Sequence, residues 1–140
     1  MTRSMISPRW AALTFVVGLM TFPPVLSRAG AAPLSGDPNR GAGLYETRCG
    51  ACHSLDANRI GPAHRGVFGR RAGIAPGFTY SPALKASGLT WTAVNLDLWL
   101  TAPTKLVKGT SMGFRLGSAQ ERADVIAYLA SPAAARRAGR

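Results

Sequence analysis

The chain has 140 residues and a formal net charge of +11. This length holds one domain with tails; the charge suits an anionic surface, a nucleic acid or an acidic protein without choosing among them. Its two cysteines exclude a disulfide-stapled framework.

The first segment reads as an export signal. Arg3 and Arg9 give a basic start, Trp10 to Phe22 is an uncharged and mostly apolar run, Pro23-Pro24 ends it, and Ala29-Gly30-Ala31 offers small residues for cleavage. The run is short for a spanning helix, which needs about 20 residues; an uncleaved membrane anchor is the alternative. Residues 1–31 are therefore assigned to the signal, 32–131 to the folded domain and 132–140 to a disordered basic tail. Removing the signal takes Arg3, Arg9 and Arg28 with it, which leaves 14 of the 17 basic residues against six acids, about +8.

The domain's patterns are helical, without convincing strands. Asp37-Pro38 is an N-cap followed by proline at the first helical position, and the helix it opens should run to about Cys49. Gly41 lies four residues before Tyr45, where a second helix is expected to cross closely. A Gly- and Arg-rich loop follows from His53 to Tyr80. Ser81-Pro82 caps a short helix that stops at Gly88. A third helix fits Thr92 to Thr101, with Val94, Leu98 and Trp99 at helical intervals and Pro103 as its stop. Ser118-Ala119-Gln120-Glu121 is a capping box that opens a last helix through Val125, Ile126, Tyr128 and Leu129. About four helices with long connections make a poor bundle alone but a reasonable shell around a large apolar cofactor.

That cofactor is indicated by Cys49-Gly50-Ala51-Cys52-His53. Cys-X-X-Cys-His is the attachment signature of c-type haem: two thiols add to the two vinyl groups, and the following histidine binds the iron. Zinc needs about four ligands, and the mature region has no pair beyond the motif. A thioredoxin-like dithiol needs a βαβ pattern, which is missing. For the sixth iron ligand, Met1, Met5 and Met20 lie in the signal, so Met112 is the only methionine of the mature chain. It sits in the glycine-punctuated loop Lys108-Gly109-Thr110-Ser111-Met112-Gly113-Phe114, which can carry a side chain to the far face of a disc. His64, the other candidate, follows His53 closely and is expected on the His53 side as a packing or hydrogen-bonding residue.

From about Gly36 to Leu129 the chain resembles the class I cytochromes c. The carrying residues are the Cys49–His53 motif, Gly61-Pro62, Gly66-Val67-Phe68-Gly69-Arg70, Ala75-Pro76-Gly77-Phe78-Thr79-Tyr80-Ser81, Leu89-Thr90-Trp91, Gly109-Thr110-Ser111-Met112 and Asp124-Val125-Ile126-Ala127-Tyr128-Leu129. The resemblance implies an all-α class I cytochrome c fold around one haem c, with thioethers at Cys49 and Cys52 and axial ligands His53 and Met112. It implies that the Pro62 carbonyl orients His53, that Tyr80 and Trp91 bond one propionate, that Arg70 offsets propionate charge, and that Thr110 serves the second propionate. It also implies that Gly41, Tyr45 and Tyr128 form a helix crossing, and that Arg48, Lys105 and Lys108, with Arg115 nearby, surround the haem edge as a docking ring. Three positions depart from the family pattern. Lys108 replaces the usual proline, His64 replaces leucine, and Trp99 replaces the tyrosine against the ligand sulfur, so the tyrosine–methionine hydrogen bond is expected to be missing. The short segment from His53 to Pro62 points to a bacterial member.

The function so implied is one-electron transfer, not enzymatic catalysis, in the periplasm and in settings such as a respiratory chain. The expected partners are acidic docking faces of membrane or periplasmic redox complexes, met by a monomer without stable membrane insertion after signal cleavage. Two rivals stand beside it. A peroxidase-like enzyme requires a labile Met112. A nucleic-acid binder requires aromatics interleaved with surface bases, whereas the aromatics here fall where a haem core needs them.

Overall fold

The computed structural model describes residues 35–136. The expected export segment, 1–31, lies outside them. Six α-helical segments occur among the described residues, in the order α1 (Pro38–Leu44), α2 (Pro82–Ala86), α3 (Ala93–Thr101), α4 (Pro103–Leu106), α5 (Ala119–Ala130) and α6 (Pro132–Ala135). Among the described residues, the only extended pairing is an isolated bridge between Arg71 and Thr90.

Local chemistry explains where these helices start. The Asp37 carboxylate accepts from the Asn39 N–H at 2.8 Å, Ser81 caps α2 and Thr92 caps α3, and the Ser118 hydroxyl accepts from the Glu121 N–H at 3.3 Å. Only this arm of the expected capping box forms, because the Glu121 carboxylate instead accepts from Arg48 at 3.4 Å. α1 continues to Cys49 as predicted, but through a π-helical turn, Tyr45–Cys49. Such turns widen a helix by one residue and occur often beside functional sites. Here the turn delivers Cys49 to the start of the loop that carries Cys52 and His53.

α1 packs most extensively on α5. A Cβ on Gly41 would collide with the Asp124 backbone and the Tyr128 side chain, so glycine is required for the approach. The crossing is pinned by Asp124, which is 3% exposed. Its carboxylate accepts from Arg40 twice at 2.9 Å, from the Asp37 N–H at 2.8 Å and from Gln120 at 3.0 Å. The Arg40 guanidinium, with the Asp37 N–H and Gln120 assisting, holds that carboxyl well below the usual carboxylate range.

Three features refine or correct the expectations. In α3, Val94 and Leu98 face solvent, while Leu96, Trp99 and Leu100 are buried. The helix is apolar around most of its circumference, so spacing alone does not select the inner face. Pro103 ends α3 but also opens α4, its fixed φ suiting a first helical position. The tail assigned to 132–140 is ordered at its start. Pro132–Ala135 is helical, Ala134 is fully buried, the Gly66 N–H donates to its carbonyl at 3.1 Å, and Arg65 donates to the Ala133 carbonyl at 2.9 Å.

Candidate functional site

The helices and the 53–80 loop enclose a cavity of about 510 Å³, within the size range of cofactor sites. Its walls are mainly apolar, with Val67, Leu84, Leu96, Leu100, Val125 and Leu129 contributing from separate segments. Cys49, Cys52, His53 and Met112 all line it. So do Pro62, Arg70, Tyr80, Trp91, Trp99 and Thr110, which brings together every expected environment residue. Arg48 also lines the cavity, whereas Lys105, Lys108 and Arg115 are exposed and lie outside its lining. Arg48 differs from them in being ion-paired, with Glu121.

The motif folds into a tight turn. The N–H groups of Cys52 and His53 both donate to the Cys49 carbonyl, at 3.0 and 2.9 Å. Burial, reinforced by Cys52, pushes the Cys49 thiol up to about 11. His53 is 8% exposed, and its Nδ1 lies 2.9 Å from the Pro62 carbonyl. A carbonyl only accepts, so Nδ1 carries the proton and Nε2 is left with the lone pair a metal needs. Burial lowers the His53 pKa and the Pro62 bond partly opposes this. A Cβ on Gly61 would run into the His53 ring, so this glycine makes room for the ligand.

Met112 is reached through a turn at Gly109, whose φ of +87° suits glycine and strains other residues. The Trp99 indole N–H donates to the Met112 sulfur at 3.0 Å. The tyrosine–methionine hydrogen bond is missing, as expected, and the indole N–H takes the place of the phenol O–H. Trp99 also packs edge-on against Trp91, with ring centroids 5.1 Å apart. Arg70 donates to the Arg65 and Ala63 carbonyls at 2.9 and 3.0 Å, and the Tyr80 hydroxyl accepts from the Ala75 N–H at 3.2 Å. These bonds fix both side chains at the cavity wall.

His64 stays on the His53 side, as expected. Its ring stacks on His53 with centroids 4.0 Å apart and an interplanar angle of 21°, and its Nδ1 lies 3.2 Å from the Tyr45 hydroxyl. Burial first, then His53 and Arg70, hold its pKa well below the ordinary histidine value. Ile60 and Phe114 were not anticipated; both line the cavity and remain substantially exposed, giving it an apolar mouth. Their only sequence signal is proximity to the motif and to Met112.

This donor set fits a haem. Two thiols stand three residues apart, an oriented imidazole and a thioether line the same apolar space, and Arg70 is available to balance carboxylates. The known proteins it resembles point the same way. The family model described as Cytochrome c matches residues 38–132. A cytochrome c2 from Rhodopila globiformis is 45% identical over 103 residues, spanning 71% of this chain and 96% of the relative. A cytochrome c from Gibberella zeae is 42% identical over 98 residues, spanning 67% and 92%. The solved structure of cytochrome cH from Methylobacterium extorquens superposes with a TM-score of 0.64 at 42% identity, covering 67% of this chain and 97% of that one.

Proposed function

Because the chain belongs to the class I monohaem cytochrome c family, we propose that it carries single electrons between redox proteins outside the cytoplasm. In this reading Cys49 and Cys52 would hold haem c through two thioethers, and His53 and Met112 would be the ligands to its iron. The observation that supports it is the convergence of both thiols, the oriented imidazole and the thioether sulfur on one apolar cavity. When bound, the haem supplies a reversible ferric–ferrous couple.

The chain's own residues set the conditions for that couple. Pro62 keeps His53 in the tautomer that presents Nε2. Met112 offers a soft sulfur, which favours the reduced iron and raises the potential. Buried aliphatic walls exclude water and limit reorganisation. Tyr80, Trp91 and Thr110 serve as donors to the propionates, and Arg70 offsets their charge. The family relationship favours the role of a carrier. The peroxidase-like alternative with a labile Met112 gains nothing from the family relationship.

Trp99 has a specific part. A thioether sulfur has two lone pairs; if one is given to iron, the indole N–H at 3.0 Å engages the other and withdraws electron density. That weakens donation to ferric iron more than to ferrous iron. Trp99→Phe should therefore lower the potential. A hydrogen bond worth about 1 kcal/mol corresponds to roughly 40 mV for one electron. Voltammetry of the variant checks this, and an unchanged or raised potential would contradict it.

The proposed docking ring is Arg48, Lys105, Lys108 and Arg115. It would orient encounter with acidic faces of membrane or periplasmic redox complexes and accelerate association without a long-lived complex. The Debye length falls from about 10 Å at 0.1 M to about 3 Å at 1 M, so the second-order rate of electron transfer to the acceptor should drop by about tenfold or more with added salt. Lys105→Glu with Lys108→Glu should slow the reaction at low salt. Reversing Arg136 and Arg137 should matter less. A rate indifferent to salt, or a slower tail variant, would defeat the docking assignment. The segment 1–31 serves in this scheme as a cleaved signal that leaves a periplasmic monomer; among the described residues no helix is long and apolar enough to cross a membrane.

A further inference from the structure

We infer that His64 is a positioning residue for His53: stacked against the ligand ring and held by the Tyr45 hydroxyl, it fixes the rotation of the imidazole in the site. The inference rests on the reading of His53 as an iron ligand and goes beyond it.

His53 has one hydrogen bond on its ring, from Nδ1 to the Pro62 carbonyl at 2.9 Å. A single bond at one edge restrains rotation about the Cβ–Cγ axis but does not lock it, because a hydrogen bond bends over a wide angle at small cost. A flat group against the ring face blocks this motion, and His64 is such a group, 4.0 Å away and 21° from parallel. A branched aliphatic side chain fills similar volume but offers no plane.

His64 is itself constrained from three directions. Its N–H donates to the Ser54 carbonyl at 2.9 Å, and its carbonyl accepts from the Val67 N–H at 2.9 Å. Its side chain meets the Tyr45 hydroxyl at 3.2 Å. Tyr45 is 5% exposed and packs on Tyr128 of α5, with ring centroids 5.4 Å apart. The contacts therefore run from the α1–α5 crossing through Tyr45 and His64 to His53. The rigidity of the helix pair reaches the ligand ring through side chains rather than through the loop alone.

The test is proton NMR of the oxidised holoprotein, because the spread of the haem methyl shifts reports the orientation of the axial imidazole. His64→Leu should redistribute these shifts, while the absorbance spectrum stays that of a six-coordinate c-type haem. His64→Phe keeps a flat ring and should retain the parent pattern. Tyr45→Phe removes only the hydroxyl and should move the same resonances in the direction of His64→Leu, by less. A methyl pattern unchanged in His64→Leu would overturn the proposal. If that variant does not mature, a pattern displaced in His64→Phe overturns it and a retained one supports it. The parent spectrum separates this from the underlying reading. With strongly hyperfine-shifted His53 ring protons present, an unchanged His64→Leu pattern removes the positioning role alone; without those protons, both readings fall.

Discussion

Replacing Cys52 by alanine should leave little or no stable holoprotein. The domain is built around its cavity, and the π-helical turn, α2, α3 and α5 each contribute an apolar residue to the walls. The space between those walls is about 510 Å³, and unfilled core volume is costly, so the group that fills it contributes substantially to a domain whose total stability is about 5–15 kcal/mol. Cys49 is half-buried in the π-helical turn, whereas Cys52 is exposed at the cavity rim. A bond at Cys52 closes the turn next to His53; without it the ligand histidine is tethered from one side only. Haem-stained yield and the reduced absorbance spectrum of the exported fraction measure the outcome. A Cys52→Ala protein that matures at parental yield with an unaltered two-thioether spectrum would refute the anchoring scheme.

Met112→His should keep a six-coordinate haem and lower its potential, by about 100 mV or more within the ~0.8 V that axial ligands span. Imidazole stabilises ferric iron better than a thioether does. The change also removes the sulfur that Trp99 bonds, so two influences that favour the reduced state are lost together. Voltammetry reads the potential, and the sulfur-to-iron absorption band of the oxidised form reads the ligand. If both are unchanged, Met112 is not on the iron, and His64 or Lys108 becomes the candidate to examine.

The parts that were legible from sequence are those in which residue type and spacing carry the chemistry directly. Cys49-X-X-Cys52-His53 is one such part. Asp37, Ser81 and Ser118 are others, because a capping side chain acts on backbone two or three residues away. Gly41 was legible because a glycine inside a helix is costly unless something needs the space. What stayed hidden depends on approach across long sequence distances. The inner face of α3 is set by the packing of Leu96, Trp99 and Leu100 against distant segments. The Trp99–Met112 bond joins residues thirteen apart, and the family pattern, which has tyrosine there, carries no signal for an indole donor. The ordered start of the tail depends on Arg65 and Gly66 reaching the Ala133 and Ala134 carbonyls, which composition cannot reveal. The His53–His64 stack was legible as proximity but not as geometry, since the ten loop residues between them can arrange two rings in many ways.

The most direct test of the account is an optical redox titration of the purified mature protein. The account predicts one reversible transition with a one-electron slope, about 59 mV per tenfold change in the ratio of oxidised to reduced form. It also predicts a c-type reduced spectrum and a sulfur-to-iron band that is present when oxidised and lost on reduction. A spectrum without covalent haem, a transition that is irreversible, or an oxidised form lacking the sulfur band would contradict it.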